Sequence, residues 1–206
     1  MNNRALFALT VILAFTAGFM SAEMMNARTT GTSGISITEI SSNNTKIIPL
    51  NDRDYYPVAI QKIESAQKSI HMVMYEILWY GDPDTDNHEV SLLGRALADA
   101  AKRGVDVRVI MDDGRGYGFV NDALVEAALN WKDYFTSKGV QVEFDWSNET
   151  THDKLIIIDG TIVIVGSTNW STSALEYNHE ANALIESKEV ASVYESYFED
   201  LWKKYE

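Results

Sequence analysis

The chain has 206 residues, 46% of them hydrophobic, and no cysteine. That length supports one well-buried core, and the missing cysteines exclude a scaffold built on disulfides. A formal net charge of -13 sets the surface as a whole against polyanions, so nucleic-acid binding would require basic residues gathered locally.

Arg4 precedes a charge-free run over 5–20, short for a bilayer span and suited to the apolar core of a secretory signal. Residues 1–22 therefore read as a signal peptide or an N-terminal membrane anchor, which makes the protein exported, either extracellular or held at a membrane with its domain outside. Residues 23–45 are rich in Ser, Thr, Asn and Gly and read as a flexible tether. From 46 to 206 the pattern is that of one domain. A helix is expected over 56–67, with Val58, Ile60, Ile63 and Ala66 apolar, then a strand over 69–78. The next helix covers 92–102 and stops at Gly104. A strand over 105–111, a helix over 119–137 and a short strand over 140–144 follow. After a hairpin at 155–165 come a strand over 181–185 and a closing helix capped by Ser187, with apolar residues at helical spacing through Trp202. This order predicts an α/β fold, a mixed β-sheet flanked by helices on both faces in a single domain.

The most informative segment is H-D-K-L-I-I-I-D-G-T-I-V-I-V-G-S-T-N, residues 152–169. Two β-branched runs flank Asp159-Gly160, a strong hairpin signal. With those two residues as the turn, Ile158 lies opposite Thr161, Lys154 opposite Val165, His152 opposite Ser167 and Asn169 opposite Thr150. Side chains alternate along strands and opposed residues share a face, so His152, Lys154, Ser167 and Asn169 are expected on one face at one end. The apolar residues nearer the turn mark a central pair covered on both sides. An imidazole can attack phosphorus while an ammonium, an amide and a hydroxyl hold its oxygens. Such chemistry requires no metal or other cofactor.

His152, Lys154, Asp159, Gly166, Ser167 and Asn169 meet the signature H-x-K-x4-D-x6-G-S-x-N, and on these residues the segment resembles the phospholipase D superfamily. The resemblance implies that superfamily's α/β sandwich and a phosphodiesterase in which His152 is the nucleophile and Lys154, Ser167 and Asn169 bind phosphate. It implies structural roles for Asp159 and Gly166, and that Glu180, opening the strand after the motif, hydrogen-bonds His152. Members with one motif resemble half of a two-motif site completed by pairing. A homodimer sharing one site is therefore expected, with one His152 attacking to form a phosphohistidine and its mate protonating the leaving oxygen.

Outside the motif, Arg115 in the loop over 112–118 is a candidate phosphate contact, and Trp170 and Trp79-Tyr80 are candidates for the mouth of the site. Asp82, Asp84, Asp86 and Glu89 read as a solvated loop and His71 as a packed histidine. Three functions compete. An exported metal-independent endonuclease acting on DNA or RNA is expected first, because compact single-motif members resemble this chain. A phospholipid phosphodiesterase at a membrane, to which 5–20 could anchor it, is the second, and a non-enzymatic phosphate-binding module the third. For the nuclease, Lys102, Arg103, Arg108, Arg115, Lys132, Lys138 and Lys154 would have to supply a positive groove.

Overall fold

The structure, a computed structural model, describes residues 26–32, 35–42, 44–116, 120–145 and 148–206. Among the described residues nine strands form one sheet in the order β1-β2-β3-β9-β8-β7-β4-β5-β6. They are β1 (Asn26–Thr32), β2 (Ile35–Ser42), β3 (Thr45–Asn51), β4 (Ser69–Met74), β5 (Asp106–Met111), β6 (Gln141–Phe144), β7 (Lys154–Ile158), β8 (Ile162–Gly166) and β9 (Ala181–Glu186). The pairs β4-β5 and β5-β6 are parallel, and the others are antiparallel.

Helices cover both faces. On one lie α1 (Tyr55–Ser65), α2 (Glu89–Lys102) and α3 (Asp122–Ser137), packed on Ile70, Met72, Val109, Ile156 and Ile164. On the other α4 (Lys188–Tyr205) lays Ala191, Phe198 and Trp202 over Val73, Ile110, Leu155, Ile157 and Val163. Alternate residues of β4 and β7 thus enter different layers, as the strand period requires. The expected mixed α/β sandwich is present, with the motif hairpin at its centre. Ser187 caps α4 as expected, whereas α2 and α3 start at Glu89 and Asp122, not at 92 and 119, on the side-chain caps of His88 and Asn121.

The region read as a tether differs, because β1 and β2 pair there and extend the sheet beyond β3. The apolar run over 5–20 lies outside the described residues. Among the described residues no helix is long and apolar enough to cross a membrane, and the expectation of an exported or membrane-anchored domain is not retained.

The hairpin register also needs correction. Asp159 and Gly160 form the turn, both with positive φ, and the Thr161 N–H donates to the Ile158 carbonyl at 3.1 Å. Ile158 nevertheless pairs with Ile162, and Leu155 with Val165. Thr161 is an extra residue on its strand, and its carbonyl accepts from the Ser187 N–H instead. This bulge slips the register by one. Ser167 and Asn169 are therefore not ladder partners of His152 and Thr150.

Candidate active site

The parallel strands β4 and β5 end where β7 begins, with Met74 beside both Met111 and Lys154. Beyond that edge residues 75–78 hold the two halves of the motif. The Tyr75 N–H donates to the Asp153 carbonyl, and the Trp170 N–H donates to Glu76. A continued ladder therefore does by tertiary pairing what the hairpin register does not.

His152 is exposed and its ring lies 4.6 Å from that of Tyr75. Lys154 is buried, with Nζ 2.8 Å from the His152 carbonyl, 3.3 Å from His152 Nδ1 and 4.7 Å from the centre of the Tyr75 ring. Burial pulls the ammonium below the ordinary lysine value, while the carboxylates of Asp153, Glu76, Glu180 and Asp112 oppose that shift. A desolvated cation beside an accessible imidazole is suited to gripping one phosphate group. Asn169 is half-buried, and its Oδ1 is buried without a hydrogen-bond partner.

Glu180 is placed differently from expectation. Its carboxylate accepts from the Ser167 hydroxyl and, at 3.1 Å, from Asn178 Nδ2, so it holds Ser167 and not His152. Trp170 is no mouth residue: it is fully buried and its indole N–H donates to the Tyr55 hydroxyl. Its apolar bulk is used as core between the motif and α1. Arg115 pairs with Asp113 at 3.0 Å. Asp159 stands at the far end of the sheet, where its carboxylate receives the N–H groups of Gln67, Lys68 and Ser69.

Several positioning residues escaped the sequence reading. Buried Asn182 donates to the Leu50 carbonyl and to Thr168 Oγ1 and accepts the Thr168 N–H, tying down the turn between Gly166 and Asn169. Asp52, with φ 51°, exchanges two bonds with Glu180: its N–H donates to the Glu180 carbonyl and its Oδ1 accepts the Glu180 N–H. Buried Asp112 and Asp145 both accept the N–H of Thr151, the residue before His152. No local pattern marks these residues, since each acts on an element distant in sequence. Tyr75, continuing an apolar strand, carried the one available signal. No metal was expected, yet Asp112, Asp113 and Asp145 place ligand oxygens within 4.8 Å of one another and could hold a cation. Backbone N–H groups of Gly114, Thr151 and Asp113 already bond the Asp112 and Asp145 carboxyls.

Residues 59–202 match the family described as cardiolipin synthase, PLD-like domain. The chain belongs to the phospholipase D superfamily. Mitochondrial cardiolipin hydrolase of Xenopus tropicalis is 34% identical over 114 residues, 55% of this chain and 50% of that protein. Cardiolipin synthase of Listeria welshimeri is 32% identical over 148 residues, 71% of this chain and 28% of that protein. The chain thus spans half the length, or less, of these two curated relatives. Nuc from Salmonella typhimurium, a phospholipase D family member, shares the fold with a TM-score of 0.63 at 24% identity, over 79% of this chain and 97% of that one.

These relatives overturn the nuclease reading, since both curated proteins are named for a lipid. The structure adds a physical reason. The basic residues required for a groove are engaged elsewhere: Arg108 with Asp106 and Glu199, Lys138 with Asp84, Arg115 with Asp113, Lys102 with Asp99, and Arg103 with carbonyls of α1 and the turn after it. Lys132 lies over Phe144. Of the seven, Lys154 is the one beside His152, and the charges of Asp153, Glu76, Glu180 and Asp112 act on it there. The homodimer sharing one site, expected together with the nuclease, falls with that reading and is not carried forward. The signal peptide assigned to 1–22 lies outside the described residues and is not retained either.

Proposed function

We propose that this protein is a phospholipid phosphodiesterase whose substrate is a glycerophospholipid of the cardiolipin class. The carrying observation is the exposed His152 imidazole with the buried Lys154 ammonium 3.3 Å away at the open edge of the sheet. The names of the relatives favour a lipid. A headgroup presents one or two phosphates to one cation, whereas a polynucleotide needs a row of them.

In this reading His152 attacks phosphorus, a P–N bond forms as the P–O bond breaks, the departing oxygen takes a proton from solvent to leave as the alcohol, and water then cleaves the P–N bond, returning a proton to solvent and His152 to its free form. Lys154 and the Asn169 amide hold the non-bridging oxygens, where charge grows in the transition state. Asn169 Oδ1 is buried without a partner, and in this reading its Nδ2 is the donor toward phosphate. Glu180 acts through Ser167, fixing that hydroxyl at the rim. The intact chain is tested on vesicles containing cardiolipin by following release of phosphatidate and phosphatidylglycerol. His152→Ala is expected to lower turnover by at least about a thousandfold. Undiminished release by that variant, or no lipid cleavage by the wild type, overturns the reading.

A further inference from the structure

Beside His152 a cleft of about 80 Å³ opens between Tyr75, Asp112, Gly116, Asn121, Leu124 and Thr150. Its walls border the reaction centre directly. The Tyr75 ring that forms one of them stands 4.6 Å from the His152 ring. Thr150 forms another, and the chain from Thr150 to His152 spans at most ~7 Å between Cα atoms. Thr150 and His152 are both exposed, on either side of buried Thr151, whose N–H is tied to Asp112 and Asp145.

The lining offers donors and acceptors together. Asn121 Oδ1 accepts the Leu124 N–H at 3.4 Å as the cap of α3, so Nδ2 is the atom this amide can turn to a ligand. A Cβ at Gly116 would fall 2.3 Å from Thr150 Oγ1, so the missing side chain there leaves room beside that hydroxyl. The Asp112 carboxylate accepts the N–H groups of Gly114 at 2.8 Å and Thr151 at 3.2 Å, and a carboxylate has about four acceptor positions. Its charge disfavours an anionic group in the cleft, while the amide and hydroxyl donors ask for an acceptor that an ammonium lacks. A neutral hydroxyl-bearing group satisfies all three. The volume is several times the roughly 10–15 Å³ that a single water needs, which suits a small polyol.

We propose that this cleft binds the bridging glycerol of cardiolipin through its free hydroxyl, and so selects a glycerol headgroup. The inference rests on the lipid reading above. That hydroxyl is four bonds from the phosphorus attacked by His152, a reach of roughly 5 Å at about 1.5 Å per bond. The separation of the His152 and Tyr75 rings, 4.6 Å, is of the same order. The bridging glycerol is also the departing alcohol when phosphatidate and phosphatidylglycerol are released. Holding its hydroxyl therefore fixes the bond that breaks, and a lipid lacking the hydroxyl leaves the polar groups of the cleft unpaired.

The test uses the intact protein on cardiolipin and on the analogue whose bridge lacks the hydroxyl, in vesicles otherwise alike. Wild-type kcat/KM should be at least about tenfold higher on cardiolipin; equal values overturn the proposal. Thr150→Val keeps the shape of the side chain and removes its hydroxyl. Asn121→Ser keeps a helix cap and removes the amide donor. Either substitution should lower the ratio between the two lipids by at least about threefold, and a ratio that both leave unchanged overturns the cleft. Wild-type preference for phosphatidylethanolamine over phosphatidylglycerol would mark an amine site and overturns it too. A wild type that cleaves bis-p-nitrophenyl phosphate but no phospholipid overturns the lipid reading, and the cleft falls with it.

Discussion

At the scale of single residues the candidate site divides into groups legible from spacing and groups that are not. His152, Lys154 and Asn169 could be named because their chemistry recurs at fixed intervals along one hairpin. Asp145 could not, since its importance comes from meeting Asp112 beneath Thr151 in the folded chain. Burial lifts the Asp145 carboxyl to about 6 from an ordinary 3.8, and the neighbouring Asp112 adds to the rise. The folded chain therefore holds this proton more tightly than the unfolded chain does. The resulting stabilisation is full below pH 3.8 and is lost as pH rises through about 6. Asp145→Asn imitates the protonated acid, with Oδ1 available to the Asp113 N–H and Nδ2 directed at Asp112, while Thr151 keeps its bond to Asp112 Oδ2. Urea denaturation should show the variant more stable than the wild type at pH 7, by on the order of 2 kcal/mol, with the difference vanishing near pH 4. A pH-independent difference would show that the proton is not held there.

At the scale of elements the helices and strands were readable because their apolar periods are clean, whereas the register of the central hairpin was not. Asp159-Gly160 suits a two-residue turn, and the same turn followed by a bulged Thr161 carries an identical local sequence signal. What chooses the bulge lies outside the hairpin: the Thr161 carbonyl accepts from Ser187, and Asp159 receives three consecutive N–H groups at the start of β4. Gly166 shows the same dependence on a neighbour. A Cβ there would come within 2.2 Å of Asn182 Oδ1 and 2.5 Å of the Ala181 carbonyl, on a strand fixed by its ladder. At Gly160 a Cβ meets nothing within 4 Å, and only the φ of 62° opposes it. Gly166→Ala should therefore cost about 2–3 kcal/mol by displacing β9 and the turn that carries Asn169. Gly160→Ala should cost about 1 kcal/mol with activity retained. Denaturant midpoints alongside turnover check both, and equal effects at the two sites would remove the close approach of β8 to β9 as the reason for glycine at 166.

For the whole molecule, the order of predicted helices and strands points to an α/β sandwich, and the sheet with α1 to α3 on one face and α4 on the other bears that out. The strands β1 and β2 were missed because a segment rich in Ser, Thr and Gly satisfies the description of a tether as readily as that of an edge hairpin, although Ile35 and Ile37 alternate with polar residues. Net charge weighs against a nucleic-acid substrate unless basic residues gather locally, and in the structure those named for a groove are paired elsewhere. The groove is not assembled, so the charge of -13 acts unopposed at long range. That has a consequence for a lipid enzyme as well. Vesicles containing cardiolipin are anionic and should repel the protein at distances beyond contact, so adhesion must come from apolar insertion and from the single Lys154–phosphate contact. Salt shortens the reach of the repulsion from ~14 Å near 0.05 M to ~4 Å near 0.5 M, while apolar burial does not weaken. Co-sedimentation with such vesicles should therefore increase with salt over that range. A polynucleotide binder released by salt would show the opposite slope, and a decrease here would mean that a basic surface, not an apolar one, meets the substrate.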